Sequence, residues 1–266
     1  MLLRLACGLL LSLGIAIPAG RLGSLSTGGV LGAVLVGTLT LGCGGWPWGL
    51  ALVAFFVSSS LLTRWQEERK RPLADLQAKG GKRDLGQVLA NGGLGALLAV
   101  LAALFPHPVW PAAFVGALAA ATADTWATEV GALSPRPPRL LTTGRPVAVG
   151  TSGGVTAWGL GAAAGGALFI GAVFCLAGLA EGAWVWAALP WALAGGLAGS
   201  TGDSLLGATL QGLYRCVSCG KETERREHCG RPTVPVRGLP WLANDGVNFL
   251  ATAFGALVAG GLSLVL

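Results

Sequence analysis

The chain has 266 residues, 53% of them hydrophobic and 11% charged, with 44 glycines, one tyrosine and a mean hydropathy of +0.67. A water-soluble domain of this size would have too little polar surface to cover itself, so composition excludes that class and points to an all-α, polytopic membrane protein. The net charge of +6 does not signal a nucleic-acid polymer, because every Lys and Arg except Arg4 and Arg21 falls in one of three loops between apolar runs, at 64–83, 136–145 and 215–237. This is the positive-inside pattern, and it predicts a multi-pass protein of the cell membrane with all three loops cytoplasmic.

The first apolar run, Leu2 to Ala19, ends in Ala16-Ile-Pro-Ala-Gly20, which also has the form of a signal-peptide cleavage region. Further runs cover Leu25 to Cys43 and Trp48 to Leu62, with Trp46 and Trp48 placed as interfacial anchors. The loop 63–87 contains Pro72 and alternates charge sign, so it is expected on the membrane surface, partly as an interfacial helix. Its Arg64, Arg69 and Lys70 serve orientation and contact with anionic lipid. A fourth span runs to Phe105, and the turn Pro106 to Pro111, with His107, leads into a fifth. After the loop 132–152, with Pro135, Pro137 and Pro138, a sixth span runs to about Leu179. The chain turns at Glu181 and returns from Trp184 to about Tyr214. The loop 215–240 carries cysteines, and Trp241 to Leu266 forms the last span. The reading is a single membrane domain, 1–266, of about eight spans, or seven if the first run is removed. Both counts leave the three loops on one side.

Inside the fifth span stands Thr122-Ala-Asp124-Thr125-Trp-Ala-Thr128-Glu129. A carboxylate at that depth costs roughly 2.5 to 3.5 kcal/mol and is seldom found without a cation, a proton or a polar cavity. The pattern Thr-x-Asp-Ser/Thr recurs at Thr201-Gly-Asp203-Ser204 in the seventh span. Each copy follows a span with a Gly-rich polar start, Asn91-Gly92-Gly93 or Ser152-Gly153-Gly154, as in a parallel repeat of two helix hairpins. A third polar entry, Asn244-Asp245-Gly-Val-Asn248, opens the last span. With a rise of about 1.5 Å per residue, Asp124 and Asp203 lie roughly 15 Å deep in the cytoplasmic half, and Glu129, Asp245, Asn248 and Asn91 lie shallower. Asp124 with Thr128 and Thr125 with Glu129 are four apart, so one helix offers two adjacent polar faces toward the others.

Carboxylates with amides and hydroxyls are hard oxygen ligands that suit Mg²⁺ held together with substrate phosphates. Lys82, Arg83, Arg139 and Arg145 are placed to clamp phosphate oxygens, and helix starts at Gly92-Gly93 and Gly153-Gly154 to offer backbone N–H groups to an anion. Acids for metal, bases for phosphate and a membrane for a hydrocarbon chain together indicate phosphoryl or nucleotidyl transfer on a lipid. Gly161, Gly165, Gly195 and Gly199 are read as packing residues. Cys216-Val-Ser-Cys219 with His228-Cys229 resembles half of a zinc ribbon, provided a sharp turn lets the adjacent His and Cys reach one ion. Cys7, Cys43 and Cys175 read as small core residues.

Five motifs carry a family resemblance: Gly81-Lys-Arg-Asp84-Leu-Gly-Gln87 through Gly93, Asp124 to Gly131, Gly150-Thr151-Ser152-Gly153-Gly154-Val-Thr156, Gly202-Asp203 to Gln211, and Asn244 to Asn248. In this order they resemble the phytyl-phosphate kinase family, whose members include plant and cyanobacterial proteins and the animal transmembrane protein 19. The resemblance covers nearly the whole chain and implies a multi-pass enzyme that converts a prenyl monophosphate, phytyl or similar, to the diphosphate, with CTP as donor. The chemistry then expects Asp124, Glu129 and Asp203 to hold Mg²⁺ on the nucleotide phosphates, with Asp245, Asn244 and Asn248 completing or orienting the set. Lys82, Arg83 and Arg145 are expected to neutralise the transferring group, while Asn91, Gly92, Gly93, Thr151, Ser152, Gly153 and Gly154 cradle phosphate. A lipid-phosphate cytidylyltransferase making a CDP-lipid and a cation-coupled transporter remain alternatives.

Overall fold

The computed structural model describes residues 2–69, 81–183 and 185–265. The interfacial helix expected around Pro72 and Lys70, and the start of the seventh span at Trp184, lie outside the described residues. Within them the chain forms α1 (Leu2–Arg21), α2 (Thr27–Gly44), α3 (Trp46–Arg64), α4 (Leu85–Leu104), α5 (Val109–Gly131), α6 (Ala157–Ala180), α7 (Ala188–Thr209) and α8 (Asn244–Leu262). Six of these are long and apolar enough to cross a membrane; α5 and α7, which carry Asp124 and Asp203, are the two that are not. Their polar insertions are tolerated because α5 is sheathed by α6, α7 and α8.

The ends of the spans shift from their sequence-based positions. The seventh helix stops at Thr209, and Tyr214 belongs to a strand. Outside the bundle, the loop 213–237 folds into four short antiparallel strands: β3 (Leu213–Cys216), β4 (Glu222–Thr223), β5 (Glu227–His228) and β6 (Arg231–Arg237), in the order β4-β3-β6-β5. A second ribbon pairs β1 (Arg139–Leu140) with β2 (Gly154–Val155) in the loop before α6. These pieces are too short to show as alternating patterns in the sequence.

Packing is inverted relative to a soluble protein. The interior of α5 is a run of small residues from Ala112 to Ala123 around Phe114 and Leu118, whereas Leu10, Leu31, Leu97 and Leu257 face outward. Lipid is as apolar as leucine, so helices associate by close backbone contact rather than by burying large side chains. One close contact joins three helices at Gly116 of α5, Gly195 of α7 and Gly255 of α8. A Cβ on Gly195 would sit 2.7 Å from the Gly116 Cα and 2.7 Å from the Gly255 carbonyl oxygen. Gly199 likewise has no room for a methyl against Ala120 and Ala251, so Gly195 and Gly199 are packing residues as the sequence indicates. Gly161 is not, since nothing lies within 4 Å of its added Cβ, and Gly165 has only the Trp126 ring at 3.9 Å.

The fourth helix begins with a reciprocal cap: Gln87 N donates to Asp84 Oδ1 at 3.0 Å and Asp84 N to Gln87 Oε1 at 3.3 Å. A π-helical turn, Leu89–Gly93, follows. Such a turn frees backbone carbonyls, and here they are answered: Asn91 Nδ2 donates to Gln87 O at 3.0 Å and Thr252 Oγ1 of α8 to Ala90 O at 3.2 Å.

Candidate active site at the polar end of the bundle

From the Gly116–Gly195 contact, Asp124 and Asp203 each lie eight residues further along their helices, about 12 Å at the usual rise. They therefore arrive at one level, and both line a cavity of about 300 Å³. The cavity is closed by the C-terminal ends of α3, α5 and α7, the N-terminal ends of α4, α6 and α8, and the loop 132–156. Asp124, Thr125, Thr128 and Glu129 all face it from α5, and Ser200, Thr201, Asp203 and Ser204 from α7. The two adjacent polar faces read from the i, i+4 spacing are thus one wall of one site. Thr122 is not part of it: its hydroxyl donates to Leu118 O at 2.8 Å and the residue is fully buried.

The remaining expected residues divide by position. Asn91, Asn244 and Asn248 line the cavity, as do Thr151, Ser152, Gly153 and Gly154. The last four sit in a loop pinned to α7, where Gly153, at φ +83°, packs so closely on Ala208 that a Cβ would lie 2.5 Å from it. Ser152 Oγ donates to Gln211 Oε1 at 2.9 Å. Thr156 caps α6 by accepting from Gly159 N at 2.9 Å.

Six residues lie apart from the cavity they were expected to line. Gly92 and Gly93 do not open a helix; they lie in the π-helical turn one turn inside α4, and neither lines the cavity. Asp245 is in the first turn of α8 but turns aside, its Oδ2 pressed against Gly86 where any side chain would collide. Lys82, Arg139 and Arg145 are exposed and outside the cavity wall, and Arg139 is spent on Gly144 O at 2.8 Å. Arg83, by contrast, faces in. Its backbone pairs with the α1–α2 connection through Ser26 N to Arg83 O at 2.9 Å and Arg83 N to Ser24 O at 3.0 Å. In that extended stretch neighbouring side chains point to opposite sides, so Arg83 enters and Lys82 leaves.

The Arg83 guanidinium donates to Ser60 Oγ at 3.2 Å and stands 5.7 and 5.6 Å from the Phe55 and Phe56 ring centroids. Burial lowers its pKa from the usual guanidinium value, and the Glu129 carboxylate opposes that shift. Glu129 in turn accepts from Thr63 Oγ1 at 2.7 Å. The cavity wall also includes residues that no motif marked as functional, among them Thr63, Gln87 from the helix cap, Ser200, and Glu224, which reaches the cavity from beyond β4. Glu224 is one of three acids, with Glu222 and Glu227, between Cys219 and His228, and nothing in the sequence separates it from the other two.

A second, apolar pocket of about 90 Å³ opens among α1, α2, α3 and α4, lined by Ile15, Ala16, Ala33, Val36, Leu52, Phe55 and Phe56. It shares Arg83, Gln87 and Asn91 with the polar cavity. Those three residues stand at the boundary between a carboxylate-rich chamber and a hydrocarbon-lined one. The carboxylates of Asp124, Glu129 and Asp203 that line the chamber are donors of the hard type that Mg²⁺ takes, and Asp203 Oδ2 is buried with no hydrogen-bond partner among the described residues, but the three acids are not drawn into one ligand set as the groups of the cysteine loop are.

On the outer sheet, Cys216, Cys219, His228 and Cys229 come together with their ligand atoms all within 4.8 Å of one another. The Cys219 backbone N–H, assisted by His228 and Ser218, holds the Cys216 thiol down at about 6, while the Cys219 thiol pushes Cys229 up to about 11.

Comparison with known proteins gives one family, described as integral membrane protein DUF92, which matches residues 10–256. Protein PGR of Arabidopsis thaliana is 32% identical, over 93% of this chain and 92% of that protein. An uncharacterized membrane protein of Methanocaldococcus jannaschii, MJ0933, is 33% identical over 79% of this chain and 84% of its own. Protein VTE6, chloroplastic, of Arabidopsis thaliana is 27% identical over 88% of this chain and 64% of its own. No solved structure matches.

Proposed function

The chain belongs to the integral membrane protein DUF92 family, and within that family we propose that it is a CTP-dependent kinase converting a prenyl monophosphate to the diphosphate at the cytoplasmic face of the membrane. The observation that carries this reading is a juxtaposition: a polar chamber with acids from two helices and an apolar pocket between helices lie side by side, with Arg83, Gln87 and Asn91 lining both. A phosphate head on a hydrocarbon tail has that shape and polarity. The motif resemblance to the phytyl-phosphate kinase family supports the same substrate class, and the positive-inside bias of the loops supports the side.

In this mechanism the prenyl tail lies among α1 to α4 and its phosphate rests against Arg83. Mg²⁺ held by Asp124, Asp203 and Glu129 would neutralise charge on the nucleotide phosphates. Thr151, Ser152 and the backbone at Gly153 and Gly154 bind the donor, and Asn244 and Asn248 orient the acids from α8. A terminal oxygen of the monophosphate attacks the γ-phosphorus of CTP, the bond from that phosphorus to the β,γ-bridging oxygen breaks, and CDP leaves. The acceptor is already ionised near neutral pH, so no general base is required; positioning and charge neutralisation lower the barrier.

The test is purified protein with Mg²⁺, CTP labelled on its γ-phosphate and a panel of prenyl monophosphates. Label recovered in a prenyl diphosphate supports the kinase. Label released as inorganic diphosphate with cytidine retained on the lipid overturns it in favour of a cytidylyltransferase.

A further inference from the structure

The kinase reading makes no use of the cysteine cluster, and its geometry points to a metal site of its own. His228 Nδ1 lies 3.5 Å from Cys219 Sγ and 3.3 Å from Cys229 Sγ, and the four ligand atoms fall within 4.8 Å of each other. Tetrahedral Zn²⁺ with Zn–S of about 2.3 Å and Zn–N of about 2.0 Å separates a sulfur and a nitrogen ligand by roughly 3.5 Å. The four atoms therefore already stand near the corners of one coordination sphere.

The backbone explains how adjacent residues reach one ion. His228 pairs with Arg231 across β5 and β6, so Cys229 and Gly230 form a two-residue hairpin turn. Both have positive φ, +53° and +69°, as a type I′ turn requires. Asn, Asp or Gly usually occupies the first of those positions; Cys229 takes it and turns its sulfur back toward the His228 ring. On the other side, Gly220 at φ +73° reverses the chain after Cys219, and Gly220 N donates to Cys216 O at 2.9 Å. Ser218 N points at Cys216 Sγ at 3.4 Å, as a donor to a thiolate does.

We propose that Cys216, Cys219, His228 and Cys229 hold one structural Zn²⁺, and that this ion locks the β3–β6 sheet so that Glu224 is presented to the acidic cavity. The sheet buries few apolar side chains of its own: Tyr214 and Cys216 are buried, but Val217, Val234 and Val236 are exposed. A fold of that size without a core usually depends on a metal or disulfides. Its other anchors include Arg237, which donates to Ala208 O and, at 3.3 Å, to Gly207 O at the close of α7, and Tyr214 and Arg226, which donate to Pro240 O at 3.1 and 2.8 Å. Glu224 lies in the connection between β4 and β5, where the zinc clip sets the path of the chain. The site is closed, with four protein ligands and no open position, so its role is to hold the sheet rather than to catalyse.

The experiment uses full-length wild-type protein in detergent. Metal analysis after exhaustive dialysis against zinc-free buffer should return about one Zn²⁺ per chain, and Cys216→Ser with Cys219→Ser should lower it to less than about a tenth of that. Because that variant can misfold, the second arm keeps the wild-type chain. A strong chelator should speed tryptic cleavage at Arg225 and Arg226 by about tenfold or more, and added Zn²⁺ should restore protection. Replacement by Co²⁺ should give the thiolate charge-transfer and d–d bands of a tetrahedral ion. Wild-type protein free of zinc and silent with Co²⁺, or cleavage at those arginines that ignores the chelator, would overturn the proposal. Neither readout depends on kinase activity, so the two readings fail separately.

Discussion

Gly195 rests against the Cα of Gly116, so close that a methyl group on Gly195 would lie 2.7 Å from it. Eight residues beyond this contact on either helix stand Asp124 and Asp203. The contact therefore sets the relative height of the two acids, and it leaves no room for a side chain at Gly195.

Substituting Gly195→Leu should push α7 away from α5 and α8 and displace Asp203. A displacement of about 1 Å at a reacting centre costs on the order of a hundredfold in rate, so turnover should fall by about that factor, with a lower melting temperature in detergent. Gly161→Ala, which meets nothing within 4 Å, is the matched control and should leave both unchanged. Equal effects of the two substitutions would refute the register argument.

Arg83 should be the cation that matters. Arg83→Met removes a charge in contact with Ser60, Phe55 and Phe56 and facing the cavity, and should lower kcat/KM by about two orders of magnitude. Arg83→Lys should recover part of it, because the charge returns without the planar fork. Lys82→Ala and Arg145→Ala, both exposed and outside the cavity wall, should stay within about threefold of wild type. Steady-state kinetics against lipid and nucleotide separately would decide, and a large loss in Lys82→Ala would reverse the assignment.

The apolar pocket should read the tail. Ala33→Phe places a ring among Ile15, Val36 and Phe56, and should raise KM for a long prenyl monophosphate by roughly tenfold. A short-chain monophosphate should be affected much less. An equal penalty for both chain lengths would place the tail elsewhere.

Much of the frame was legible in the chain because depth along a helix follows from residue count alone. Residue count puts Asp124 and Asp203 at one depth and Asn91 and Asn248 shallower at the same end of the bundle, and all four line one cavity. Azimuth was not legible, since it depends on which neighbours a helix packs against. Asp245 stands at the correct height but points at Gly86, which its own sequence context does not reveal. Lys82 and Arg83 are adjacent cations that a motif does not rank, and the extended pairing of Arg83 with Ser24 and Ser26 separates them. Glu224 was hidden because its position depends on a small sheet whose strands are two to seven residues long, too short for a periodic pattern. The apolar pocket is built from four helices whose residues are ordinary span residues in sequence.

The central claim is tested most directly by comparing wild type with Asp203→Asn in the same preparation, using Mg²⁺, γ-labelled CTP and a prenyl monophosphate. Asn keeps the shape of the side chain and removes the charge that the buried, unpartnered Oδ2 brings to the cavity. Wild type should move the label onto the lipid as a diphosphate, and the variant, still monodisperse with unchanged helix content, should lose about a hundredfold or more of that activity. Full transfer by Asp203→Asn would contradict the account.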